Sequence, residues 1–537
     1  MTSATTEAQR LHHLAVPPRG RPRHLVLVNP PALPGHTNDR TLSGGIGVSR
    51  RLKPLETEQM QLPPIDILYT AAVAERAGAD VTIVDLLLDR VQGRDAERFC
   101  AGRVQPGWGT AAWLGIRLSM PSLPQDLAFA ERLKELFPLA TVFAFGSVIM
   151  ATLDHWVAGC RLDFVVYGEP EAVIDRILLA EDHRTVAGVI CPDTHVPLGG
   201  DELYSGAHNT ARYERWVSVS SLSTLPRPAW HLLDMTRYAP GGDCSRLGVQ
   251  LQASRGCPIG CTMCPYMLLE GKPWRSNDLE AVVDEIEHLN RTYGIHRVRF
   301  RDPNFGLNSR YVHELCDAII RRGVRLEATV ETSLEAFDEA NLRRMYEAGI
   351  RTVTTGIETS DAECMASIGQ KVSVNEKLRR RIDLCHSLGF HIYGTFCLGT
   401  PEESWDTVRR TWQFANELDV ESGFTTLTPF PGTPMYWRAL DEGLLPRRMQ
   451  YSEWNSYTAT MPSYHLSIRD LRVARLWARL ETILPYRSRR AGAQGPLARV
   501  TFHLRHAPHH LVRRWCRTYV WFRSRRATPP SGRRAPD

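Results

Sequence analysis

The sequence predicts an α/β protein: a doubly wound parallel sheet, then a second strand–helix series folded as a partial barrel, then a helical, basic C-terminal region. Three observations predict this. The 537-residue chain is too long for one compact core. Short apolar runs alternate with amphipathic helical patterns. The alternation fades between about residues 190 and 245 and then resumes, so the pattern occurs twice.

Residues 1–22 read as a disordered leader. The run HLVLVNPP (24–31) ends in a Pro-rich loop, as a buried strand does. A long loop containing SGGIGVSR (43–50) follows. Residues 64–78 read as a helix stopped by Gly78, and 79–87 as the second strand. Strands are expected at 111–122, 140–148 and 162–171, with a helix at 123–137. Ligands on such sheets sit at the carboxyl ends of the strands. The loops to watch are Asn29–Pro31, Ser119–Ser122, Gly146–Ser147 and Gly168–Glu171, where small residues permit close approach of a large ligand. Residues 223–242 look like a connector broken by prolines.

The second series has expected strands at 246–254, 296–305, 325–333, 351–360, 391–401 and 422–434. Helical patterns at 278–294 and 338–349 lie between them. Six such units fit a partial or closed barrel with its chemistry at the strand C-termini. Beyond it, 466–490 reads as an amphipathic helix with Leu466, Leu471, Ala474 and Leu476 on its apolar side. Residues 509–526 mix arginine with Trp515, Tyr519, Trp521 and Phe522.

A hydrophobic content of 43% and a charged content of 23% suit a soluble globular protein. No apolar run is long enough to span a membrane, and the first residues lack the apolar core of a secretory signal. A cytoplasmic location is therefore expected. Twelve cysteines in a reducing compartment point to metal binding rather than disulfides. From Tyr486 onward thirteen arginines face one acid, Asp537, a balance of +12 that leaves the rest of the chain near −6. Such a tail suits peripheral contact with an anionic membrane, or a solvated extension; nucleic acid is not the expected partner.

The stretch QASRGCPIGCTMCPY (252–266) sets Cys257, Cys261 and Cys264 on one short loop. Three thiolates suit a soft metal. A structural zinc site wants four ligands, and the next cysteine, Cys244, lies thirteen residues upstream. A 4Fe–4S cluster held by three cysteines leaves one iron open to another ligand.

A CxxxCxxC motif directly after the first strand of an α/β barrel resembles the signature of the radical S-adenosylmethionine enzymes. The resemblance implies that the open iron chelates S-adenosylmethionine, whose reductive cleavage yields a 5′-deoxyadenosyl radical that abstracts a hydrogen atom. It places Asp302, Glu331, Ser333 and Glu358, the last in GIETS, similar to the GIES of relatives, around S-adenosylmethionine. Relatives usually carry an aromatic residue where this chain has Met263, so Tyr266 is the expected stacking partner. The pieces VNPP, PIDILYTAAVAERAGADVTIVD, FGS, DFVVYGEPE and LPRPAWHLLD, in that order, resemble the cobalamin-binding half of class B members. That implies cobalamin contacts from Asn29, Pro31, Ser119, Gly146, Ser147, Gly168 and Glu169. The DxHxxG motif of histidine-ligating cobalamin domains is missing, and His36 is off pattern, so base-off cobalamin without a histidine ligand is expected.

The expected organisation is a leader (1–22), a Rossmann-like cobalamin-binding domain (23–190), a connector (191–243), a radical S-adenosylmethionine barrel (244–440) and a helical, Arg-rich C-terminal region (441–537). The expected activity is methylation of an unactivated carbon of a small-molecule substrate, with a flavodoxin or ferredoxin as electron donor. Arginine bias of the kind found in GC-rich bacteria associates it with specialised metabolism. The same cofactors also suit radical cyclisation, ring contraction or another oxidative rearrangement. From a different class, a non-catalytic iron–sulfur or zinc protein binding nucleic acid through its tail stays open.

Overall fold

The computed structural model describes residues 23–34, 36–40, 48–51, 61–104, 112–195, 216–370, 376–445, 451–493, 503 and 506–526. The expected leader and most of the SGGIGVSR loop lie outside them. The chain forms two compact units, Met1–Cys244 and Ser245–Asp537. The segment expected as a connector belongs to the first unit as far as it is described. There Ala229 sits in the core and Tyr238 bonds Asp85 at 2.8 Å, so its prolines shape a packed edge rather than a free linker.

In the first unit, β1 (His24–Asn29), β2 (Asp80–Asp85), β3 (Ala112–Arg117), β4 (Thr141–Phe145) and β5 (Phe164–Val166) are parallel, in the order β2-β1-β3-β4-β5. A short β6 (Val189–Ile190) closes the edge antiparallel to β5. The strands are apolar on both faces because helices cover both, among them α1 (Ile65–Arg76) and α2 (Leu123–Leu136). Strand order reverses between β1 and β3, which opens the ligand crevice of a doubly wound sheet there. The expected strands at 111–122 and 162–171 are shorter than the sequence pattern. After Arg117 and Val166 the chain turns into loops whose apolar residues pack without joining the ladder.

In the second unit, β7 (Gly248–Leu251), β8 (Arg297–Phe300), β9 (Glu327–Glu331), β10 (Ile350–Glu358), β11 (His391–Leu398) and β12 (Glu421–Thr426) form one parallel sheet in chain order. β7 and β12 are its two edges, so the barrel is open. Connecting helices include α3 (Leu279–Tyr293), α4 (Ser309–Arg322), α5 (Glu339–Glu347), α6 (Glu376–Leu388) and α7 (Trp405–Glu417). Strand residues alternate: Val298, Phe300, Val330, Val353, Ile357, Ile392 and Phe396 are buried, while Thr329, Glu331, Thr354, Glu358 and Thr395 between them are half-buried. The period of two thus gives a polar inner wall. Asp278 and Asn308 cap α3 and α4 through side-chain oxygens, and Gly294 and Gly323 end them in left-handed backbone. α8 (Ile468–Ala493) buries Leu471 and Ala474, and Leu466 just before it is buried too, as the pattern predicts; Leu476 stays half-buried. α8 packs on β12 and α7. α9 (Ala507–Arg526) packs on α8.

Candidate functional site

The cysteine loop leaves the C-terminal end of β7 and is pinned on every side. Cys257 N–H donates to the Gly271 carbonyl at 3.1 Å, and Cys264 N–H to the Cys261 carbonyl at 3.2 Å. Thr262 donates through its amide to the Ile368 carbonyl (3.0 Å) and through its hydroxyl to the Ser367 carbonyl (3.0 Å). Gly256 has φ +83°, and a Cβ there would lie 2.0 Å from the Pro273 carbonyl oxygen, so only glycine fits. Gln370 donates to the Cys261 sulfur at 3.3 Å. The sequence holds no mark of that contact, because Gln370 stands in an aperiodic loop.

Beneath the loop lies a buried polar network. Gln252 donates to Glu270 at 3.1 Å and accepts from Arg255 at 3.0 Å, and Arg301 pairs with Glu270 at 3.8 Å. Arg301 Nε is buried with no hydrogen-bond partner among the described residues.

The three thiols share one electrostatic neighbourhood. Burial pushes Cys264 up to about 12, and Cys261, Cys257 and Glu358 push the same way. Cys261 is raised by burial, with Gln370 opposing. Three thiols on one short loop suit a 4Fe–4S cluster, in which each thiolate takes its own iron and one iron stays open. The donor set therefore fits an iron–sulfur cluster.

Glu358 ends β10 with φ +62°, beside a register shift in the β10–β11 ladder. Burial raises its carboxyl to about 7. Glu331 ends β9, raised by burial against the opposing pull of Arg299 and Arg301. Tyr266 opens the turn after the last cysteine; burial and then Glu331 raise its hydroxyl. Ser333 is exposed, its amide donating to Asn304 at 3.4 Å.

Asp302, expected beside S-adenosylmethionine, is tied into the fold. It is 1% exposed, accepting from Ala253 N–H at 3.0 Å and the Ser254 hydroxyl at 2.5 Å. Its carboxylate ties the end of β8 to the segment that delivers the cysteines. Burial raises it to about 7.

In the first unit, the switch point is held by residues that the sequence does not single out. Arg40 is fully buried and forms a two-pronged pair with Asp126, at 2.5 and 2.8 Å. It also donates to the Ser119 hydroxyl at 2.7 Å and to the Pro31 carbonyl at 3.0 Å. One guanidinium thus ties the loop after β1 to the loop after β3. Periodicity cannot mark a lone arginine in a loop, and Asp126 reads as a solvent position of α2.

Of the residues expected around cobalamin, four also make contacts within the fold. Ser119 is 0% exposed, with its amide and hydroxyl inside the Arg40–Asp126 network. Gly146 and Gly168 read, in sequence, as room for a ligand. The chain itself lies on the Cβ side of each: a Cβ at Gly146 would lie 2.5 Å from the Leu118 carbonyl oxygen, and one at Gly168 2.1 Å from that of Val217. Glu169 accepts from Val219 N–H at 2.7 Å. Asn29, Pro31 and Ser147 are the other three. Asn29 donates to Asp85 at 2.9 Å, while its own side-chain carbonyl oxygen is buried without a partner among the described residues. Pro31 and Ser147 are half-exposed. This orphan acceptor beside the crevice fits a large hydrogen-bonding ligand such as cobalamin. His36 is held by the Pro34 carbonyl at 3.0 Å.

Residues 251–415 match the radical SAM superfamily. An uncharacterized methyltransferase of Pyrococcus horikoshii is 31% identical over 403 residues, covering 74% of this chain and 82% of the relative. Cytidylyl-2-hydroxyethylphosphonate methyltransferase of Streptomyces wedmorensis is 29% identical, over 71% and 78%. The solved structure of the cobalamin-dependent S-adenosylmethionine radical enzyme OxsB, with aqua-cobalamin and S-adenosylmethionine bound, superposes with a TM-score of 0.66. It is 10% identical, and the match covers 92% of this chain and 72% of that one. With its cysteine loop at the mouth of an open barrel and a doubly wound sheet before it, the chain is an enzyme of the radical SAM superfamily, with the fold of that superfamily's cobalamin-dependent members.

Proposed function

We propose that the protein is a cobalamin-dependent radical S-adenosylmethionine methyltransferase acting on an unactivated carbon of a small molecule. The observation that carries the reading is the loop of Cys257, Cys261 and Cys264 after β7, with Glu358 at the end of β10 close enough to raise two of its thiols. The methyltransferase names of its sequence relatives support the reaction type.

The three cysteines would hold a 4Fe–4S cluster, and Asn29, Pro31 and Ser147 would line the cobalamin crevice. When bound, these groups supply the electron that splits S-adenosylmethionine and the methyl group that is transferred. The chain's own work is placement. Gln370 steadies negative charge on the Cys261 sulfur through its hydrogen bond. Asp302 and the Gln252–Glu270–Arg255 network keep the loop from shifting. Glu358, within electrostatic reach of the thiols, accepts hydrogen bonds from the ribose or the amino group of S-adenosylmethionine. Tyr266 offers a ring edge for the adenine, in place of the aromatic that Met263 does not provide.

Anaerobic incubation of reconstituted enzyme with reductant and candidate substrates tests the reading. A methylated product with both S-adenosylhomocysteine and 5′-deoxyadenosine is expected. 5′-Deoxyadenosine without S-adenosylhomocysteine would replace methylation by a cyclisation or rearrangement; neither product would remove the radical reading altogether.

A further inference from the structure

Helix α9 is inverted relative to an ordinary surface helix. Three of its arginines reach across to buried acids of α8. Arg513 and Arg517 pair with Glu481 at 2.7 and 2.6 Å, and Arg523 pairs with Asp470 at 2.7 Å. Both acids are nearly inaccessible, at 2% and 1% side-chain exposure. Cys516 and Val520 fill the same inner face. The opposite face carries Leu511, Trp515 and Phe522, which are 72%, 53% and 52% exposed. Their spacing of four and seven sets them in one stripe. Val512 and Arg514 flank it and are exposed too.

A long helix that spends three cations on fixing its polar side and leaves large apolar side chains outside is built to meet something. Two features say what. The stripe includes aliphatic residues, which gain from an apolar medium and gain nothing from a nucleic acid. The surrounding segment is strongly cationic, with thirteen arginines and one acid from Tyr486 onward. An anionic lipid surface satisfies both: the acyl boundary takes the stripe, and the lipid phosphates take arginines outside the ion pairs of Arg487, Arg489, Arg513, Arg517 and Arg523, such as the exposed Arg514. No described helix is long and apolar enough to cross a membrane, so α9 would lie in the plane of the interface.

We propose that α9 docks the enzyme on an anionic bilayer surface, with Leu511, Trp515 and Phe522 seated between headgroups and acyl chains. Co-sedimentation of the full-length protein with vesicles tests it. Binding to mixed phosphatidylcholine–phosphatidylglycerol vesicles, weakened by salt and much weaker on phosphatidylcholine alone, is expected. The triple variant Leu511→Gln, Trp515→Ser, Phe522→Ser, which leaves the inward arginines in place, should bind the anionic vesicles about tenfold or more weakly. Its thermal melt and iron content should match the parent. The proposal is overturned if the parent protein fails to bind, binds neutral vesicles equally well, or binds as before in the triple variant. The comparison of the two vesicle types needs no variant and decides the matter even if the triple variant does not fold. A parent that self-associates, and loses that association in the triple variant, would assign the stripe to a second copy of the chain instead.

Discussion

Glu358 carries two costs in one residue. A non-glycine residue at φ +62° is strained by about 1–3 kcal/mol, and its carboxyl is desolvated. Burial raises its pKa from 4.5 to about 7, so the folded apo-protein holds this proton more tightly than the unfolded chain. Stability from that proton is present below 4.5 and is lost as pH rises toward 7. Glu358→Gln is therefore expected to flatten the fall in melting temperature between pH 5 and pH 7, while weakening S-adenosylmethionine binding. Thermal melts across that range and equilibrium binding check both. At the thiols, Cys264 is raised to about 12, so metal loading must displace protons. Cys257→Ala, Cys261→Ala or Cys264→Ala should each cut bound iron sharply and abolish 5′-deoxyadenosine formation, measurable by iron and sulfide analysis and by product assay.

At the level of elements, the helices and strands of both sheets are legible from period and stop signals, because burial on one or two faces writes itself into the pattern. α1, α2, α3 and α5 begin and end within two residues of where caps and glycines put them. Loops carry less. The cysteine spacing announces its chemistry, yet the reason for Gly256 is the Pro273 carbonyl, which lies far enough along the chain that no local pattern reports it. Gly256→Ala should destabilise the second unit by about 2 kcal/mol or more, seen in its melting temperature. The Arg40–Asp126 pair is likewise invisible in sequence, since its two halves are 86 residues apart. Arg40→Met leaves Asp126 buried and without its cation, and should cost about 3–5 kcal/mol. Restoring neutrality with Asp126→Asn in the same chain should recover part of that loss in chemical denaturation.

For the whole molecule, the division into two units and the order of the sheets follow from the repeated alternation, whereas the tail does not. If the tail served only in localisation, deleting residues 487–537 would leave S-adenosylmethionine cleavage intact. The structure shows that a cut at 487 falls inside α8, and that α9 supplies the cations for Asp470 and Glu481. Removing 507–537 should therefore lower the melting temperature of the second unit even if S-adenosylmethionine cleavage survives. The open sheet has a further consequence, for biosynthesis. Because β7 to β12 pair only with their neighbours in the chain, the sheet can grow one strand at a time as the ribosome delivers it. The cysteine loop then emerges first, and Glu358 and Gln370 arrive only after about a hundred further residues have been made. Until then the three thiols stand bare on a nascent edge, so oxygen during translation threatens this enzyme before it has ever held a cluster.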